Sequence, residues 1–82
     1  MKEWIDLTPE EKEERRRFRD SYIGKKVRIV VSEEYPHLNK NVYISKKRNN
    51  GIYESFLLNN DGSIGQRSYL VAPFLMDKLE LL

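Results

Sequence analysis

The residues best equipped for chemistry in this chain are cations set beside tyrosines. Arg28, Tyr43, Lys46, Lys47 and Arg48 lead the group, and Arg67 and Tyr69 follow further along. Lysine and arginine track phosphates, and a tyrosine ring offers a stacking face worth about 1–3 kcal/mol per base. The same residue types anchor protein interfaces, where Arg and Tyr are favoured. In both cases the chemistry is recognition, not bond-making.

Catalytic constellations are missing from the pattern. A covalent nucleophile needs a positioned base beside it, yet the chain has no cysteine and a single histidine, His37, in "YPHLNK" with no serine motif near it. No P-loop or dinucleotide glycine pattern occurs. "NNDGSIG" resembles a calcium loop only superficially. With Gly62 as its sixth position, the first and twelfth positions would be Leu57 and Ser68, and neither carries the required carboxylate. Glu33, Glu34, Asp61 and Asp77 sit in polar surroundings that would not tune a pKa for acid–base work. The expectation is a protein without catalytic residues, metal ligands or a cofactor.

Size and charge narrow the class further. A chain of 82 residues makes one domain that buries about 60–65% of the surface its unfolded form exposes. Without cysteine, neither disulfides nor thiolate metal sites can reinforce it. The core must come from aliphatic residues and nine aromatics. The net charge is +2, and it is unevenly spread: residues 1–20 hold 6 basic and 7 acidic side chains, residues 21–82 hold 9 and 6. A dedicated nucleic-acid binder usually shows a stronger bias. No apolar run reaches signal-peptide or membrane-span length, so a cytoplasmic protein without membrane contact is the default expectation.

The elements that must position these side chains can be read in order. In "DLTPEEKEERRRFRD", Thr8 is a helix N-cap, Pro9 suits the first helical position, and Glu11 completes a capping box. Glu11–Arg15 and Glu13–Arg17 are i,i+4 pairs in the favourable orientation. This helix lacks an apolar stripe, so it must be pinned at its ends, by Trp4, Ile5 and Leu7 before it and by Phe18 and Tyr22 after it. "RRRFR" reads most simply as a solvated face paired with the preceding glutamates. Gly24 then supplies a left-handed cap.

Beyond Gly24 the period changes to two. "KKVRIVV" places Val27, Ile29 and Val31 on one side of a strand with Arg28 and Val30 on the other. A loop follows over "SEEYPHLNKN", where Asn39 and Asn41 tolerate left-handed backbone. "VYISKKR" resumes alternation: Val42 and Ile44 point inward, Tyr43 and Lys47 outward, with Lys46 and Arg48 at the mouth of a hairpin. Asn50-Gly51 and Asp61-Gly62 mark tight type I′ turns around the strand "IYESFLLN". In "SIGQRSYLV" Gly65 marks a bulge; one helical turn at "APFLMDK" and a short strand at "LELL" complete the chain. The expected fold is mainly β, an N-terminal helix followed by a small SH3-like barrel of about five antiparallel strands. Residues 1–23 form the helical segment packed on a barrel of residues 24–82.

Several of these stretches resemble the KOW/SH3-like small-barrel group. They are "GKKVRIV", "PHLNKNVYI", "NNGIYESFL" with "NNDG", and the closing "YLVAPFLMDKLELL"; asparagine in "LNKN" stands where that group commonly has glycine. Residues 26–40 are also similar to the opening of the small SH3-barrel subunit on the stromal side of photosystem I. The resemblance implies a binding role. KOW modules meet RNA, ribosomes or RNA polymerase, and other SH3-like barrels dock proteins.

Three roles for the cation–tyrosine group therefore stand side by side. One is docking on a larger protein or nucleoprotein machine, including the setting of a phage-encoded inhibitor of a host enzyme. Another is direct binding of RNA or single-stranded DNA. A third is sequestration of a small anionic metabolite. The plainest alternative is a solvated hairpin tip whose lysines discourage edge aggregation.

Overall fold

The computed structural model describes residues 4–82, with the side chain of Trp4 outside the description. A 3₁₀ turn at Trp4–Asp6 leads into helix α1, Pro9–Asp20. The start of α1 is as its sequence demands. The Thr8 hydroxyl accepts the Glu11 N–H at 3.1 Å, and a Glu11 carboxylate oxygen accepts the Thr8 N–H at 3.1 Å. Glu13 pairs with Arg17 at 3.6 Å. Arg15, in contrast to the expected pairing with Glu11, reaches toward Asp77 at 3.8 Å.

No residue of α1 is buried, which follows from its lack of an apolar stripe. Of the expected pins, Leu7 is buried and Tyr22 packs against the core. Ile5 and Phe18 are exposed, although Phe18 sets its ring edge-on to Tyr22 at 5.4 Å. The expected pinning by Trp4 rests on a side chain outside the described residues. The helix ends at the C-cap Ser21, in right-handed geometry, and not at Gly24. Gly24, at φ +85°, swings the chain into the sheet, and its N–H donates to the Ile44 carbonyl at 2.7 Å.

Five strands follow: β1 Lys26–Ile29, β2 Lys40–Lys47, β3 Tyr53–Leu58, β4 Ile64–Val71 and β5 Leu79–Leu81. They form one five-stranded antiparallel sheet in the order β4-β3-β2-β1-β5, a compact mainly β fold with the helix at its N-terminal end, consistent with the expected small barrel. The inner face supplies Val27, Ile29, Val42, Ile44, Tyr53 and Val71, all buried, and Met76 joins them from the 3₁₀ turn Pro73–Asp77. One polar side chain is fully buried among them. Ser55 donates its hydroxyl to the Tyr69 carbonyl at 2.6 Å, which removes the cost of desolvating it.

Three local expectations are corrected. β1 stops at Ile29, and Val31 is exposed instead of facing inward. The Val31 and Ser32 N–H groups donate to the side-chain oxygen of Asn39, at 2.9 and 3.3 Å, so an asparagine side chain takes over from the ladder. Asn39 and Asn41 do not use left-handed backbone. Among the described residues positive φ occurs at glycine alone.

The turns are not type I′ for the same reason. In the first hairpin the Gly51 N–H donates to the Arg48 carbonyl and the Arg48 N–H to that of Ile52, with φ +87° at Gly51 only. This is a three-residue loop, a type I turn closed by a left-handed glycine. The second hairpin repeats it, with Asn59, Gly62 and Ser63 in the corresponding roles.

Candidate functional site

A single extra residue in β2 decides where the cations point. Ile44 lies opposite Ser55, but Lys46 lies opposite Glu54, so Ser45 is bulged out of register. Because side chains alternate with a strict period of two, one inserted residue inverts every position after it. Arg28 and Tyr43 face outward as expected, Tyr43 opposite Phe56 and Arg28 opposite Asn41. Lys46 joins them on the outer face. Lys47 does not; it lies opposite buried Tyr53, on the inner side.

The electrostatics then divide the group. Glu54 lies between two of its cations, with Arg48 Nη2 and Nε at 2.9 and 3.0 Å from one carboxylate oxygen and Lys46 Nζ at 3.3 Å from the other. The Arg48 hydrogen bonds, reinforced by Lys46, hold the Glu54 carboxyl below its usual range. Arg28 spans Asn41 at 3.3 Å and Glu80 at 3.5 Å. Arg67 is exposed on β4 and makes no ion pair among the described residues. Tyr69, a candidate extension of the group on a strand whose parity Gly65 left open, packs against the core. Its register opposite Ser55 puts it on the inner face. The seven residues therefore do not form one patch.

The outer face has a second character. On β2, β3 and β4 it carries Tyr43, Phe56, Leu58, Ile64 and Leu70, linked across strands by the pairs Tyr43–Phe56 and Leu58–Ile64. Ile64 and Leu70 are 46% and 48% exposed, so this strip meets solvent. Lys26, opposite Tyr43, borders it by reaching the Gly62 carbonyl with Nζ at 2.6 Å. Asp61 in the same turn is held below its usual range, chiefly by hydrogen bonds from Ser63 and in part by Lys26.

A polar junction that the sequence did not announce joins α1 to the barrel. Arg19 meets Asp77 in a bidentate pair, Nη2 at 2.7 Å and Nε at 3.0 Å, and this contact keeps the guanidinium charged. The Tyr53 hydroxyl donates to Asp20 at 2.5 Å, and Lys47 Nζ stands 3.4 Å from the same carboxylate. Burial, aided by the negative Asp20, pushes the Tyr53 hydroxyl well above the usual phenol range. The nearest clue in the sequence was the spacing of Arg15 and Arg19, one turn apart on one helix face; nothing local tied them to an aspartate so distant in the chain.

Beside this junction a cleft of about 430 Å³ opens between α1, the β2–β3 hairpin and the Pro73–Asp77 turn. His37 lies in an exposed 3₁₀ turn with Tyr35 edge-on at 6.0 Å. Among the described residues no cluster of His, Cys, Asp or Glu is arranged to hold a metal ion, and no helix is long and apolar enough to cross a membrane. Compared with protein-family models, curated proteins and solved structures, the chain matches none of them.

Proposed function

We propose that this chain is a non-enzymatic docking module that binds a larger protein through the outer face of β2, β3 and β4. The observation that carries the reading is the outer-face strip Tyr43, Phe56, Leu58 and Ile64, joined by the cross-strand pairs Tyr43–Phe56 and Leu58–Ile64, with Leu70 at its border opposite Glu54. Isolated exposed apolar side chains are ordinary, whereas a contiguous run of them marks an interaction surface. Its border is mixed in charge, with Lys26, Arg28 and Lys46 against Glu54 and Glu80. The partner that complements it is a protein surface with an apolar centre and a few carboxylates at its edge.

Direct binding of RNA or single-stranded DNA is the second reading, and the ion pairs weigh against it. A phosphate must displace Glu54 to recruit Lys46 or Arg48, and Lys47 has left that face.

The test has two arms. In the first, labelled single-stranded RNA and DNA are titrated at low and moderate salt. Little binding is expected; tight binding that weakens steeply with salt and drops on changing Lys46 and Arg48 to Ser would favour the nucleic-acid reading. In the second, captures from lysate with the native chain and with an Ile64→Ser, Leu70→Ser double variant are compared, and any retained protein is re-tested in purified form. A partner lost with the double variant supports docking through the strip. Equal retention by both removes that face from consideration.

A further inference from the structure

The cleft beside the helix–barrel junction lies away from the outer strip, on the side to which Lys47 has turned. We propose that it is a ligand site for a small aromatic carboxylate, with the ring held against Phe74 and Pro73 and the carboxylate on Lys47. Its lining combines apolar and aromatic residues, Tyr53, Pro73 and Phe74, with three cations, Arg16, Arg19 and Lys47. The volume, about 430 Å³, is within the range of small-molecule sites, which are mostly apolar with a few placed polar groups.

Each wall has a reason to accept such a ligand. Phe74 is 65% exposed although it stands at the mouth of a formed cleft. Aromatic rings prefer offset or edge-on neighbours, and Phe74 offers an exposed ring face, whereas the Tyr53 ring is buried behind it. Lys47 holds its ammonium 5.7 Å from the Tyr53 ring centroid and 3.4 Å from Asp20. A ligand carboxylate has to share Lys47 with Asp20, and Asp20 keeps the Tyr53 hydroxyl whichever of the two holds the lysine. Arg19 is different. Its bidentate grip on Asp77 makes it a fixed positive wall.

The backbone explains why the ligand is a small molecule and not a peptide strand. Peptide recognition by strand addition needs unpaired main-chain groups. Here Pro73 has no N–H, the Gly51 N–H is donated to Arg48, and Tyr53 is paired with Lys47 on one side and Val71 on the other. Side chains therefore supply the recognition proposed here.

The experiment is a titration of the isotope-labelled chain with phenylacetate, followed by nuclear magnetic resonance. Phenylacetamide, acetate and a short acidic peptide containing phenylalanine serve as comparisons. Phenylacetate is expected to shift the Gly51 and Phe74 amide signals saturably. Phenylacetamide and acetate, each lacking half of the recognised chemistry, should bind about tenfold more weakly or worse. Lys47→Gln and Phe74→Ser should each weaken phenylacetate by a similar factor, and Lys46→Gln on the outer face should not. Phe74→Ser changes an exposed side chain, so it decides the matter should Lys47→Gln fail to fold. Shifts that do not saturate, or equal affinity in the Phe74→Ser chain, overturn the assignment, and so does tighter binding of the peptide than of phenylacetate.

Discussion

Ser45 shows how much one residue can decide. Alternation in "VYISKKR" places Tyr43 and Lys47 on a common face only if the strand is regular, and no residue in the stretch signals a bulge. The bulge was readable in coordinates alone, through the pairing of Ile44 with Ser55 and Lys46 with Glu54. The glycines were more legible. Asn50-Gly51 and Asp61-Gly62 do sit at hairpin tips, but Asn50 and Asp61 keep negative φ. Their side-chain oxygens instead accept the N–H two residues on, of Ile52 at 3.1 Å and Ser63 at 2.9 Å, which favours a type I turn with glycine last.

Two glycines should differ when replaced. At Gly51 a Cβ meets only Pro73, at 3.9 Å, so Gly51→Ala carries the cost of positive φ, about 1 kcal/mol, and Gly51→Val more. At Gly65 the Cβ would stand 2.5 Å from the Leu57 carbonyl oxygen, inside the irregular β3–β4 register that glycine was expected to mark. Gly65→Ala should therefore be the worse change, costing about 2–3 kcal/mol. Thermal melts check this, at about 4–8 °C per kcal/mol for a domain of this size. Equal melting temperatures would mean that β4 relaxes away from Leu57.

Helix α1 was legible at its start and illegible in its attachment. Thr8, Pro9 and Glu11 announce the N-terminus because capping is local chemistry. What holds the helix to the barrel is Arg19 on Asp77 and Asp20 on Tyr53, contacts that span 58 and 33 positions. Asp77→Ala should loosen the helix by about 1–3 kcal/mol, because Arg19 is only 11% exposed and would lose a bidentate partner. Hydrogen exchange in α1 should rise while the sheet stays protected.

The same junction predicts an alkaline limb. Tyr53 has its folded pKa raised, so its contribution is complete below the unfolded phenol value of about 10. That contribution is lost as pH rises above this value and through the folded one. Tyr53→Phe should lower stability near neutrality and flatten the decline above about pH 10. An unchanged alkaline slope in Tyr53→Phe would assign the limb to other groups.

At the scale of the whole molecule, a net charge of +2 is accompanied by ion pairs that engage Arg28, Lys46, Lys47 and Arg48. Glu54 and Asp61 have depressed folded pKa values. Their pairings are intact above the unfolded carboxylate range of about 4 and are lost as pH falls through the lower folded values. Acid titration should therefore lower the melting temperature below about pH 4, and Glu54→Gln should reduce that dependence. The two strands at the ends of the sheet order, β4 and β5, lie differently to the proposed interface. β4 contributes Ile64 and Leu70 to the strip, so a partner on the outer face also covers that edge.

Capping boxes, the change from helical to two-residue period, and glycine at turns are consequences of each residue's own geometry and of neighbours a few positions away. The sequence by itself determined these, and with them a helix followed by a five-stranded antiparallel sheet. Which cation faces which surface, which carboxylate neutralises it, and how α1 meets the sheet depend on register and on contacts between distant segments. No local preference encodes those. They are settled only when the inner face packs Val27, Ile29, Val42, Ile44 and Tyr53 together, because that packing fixes the phase of every outward side chain.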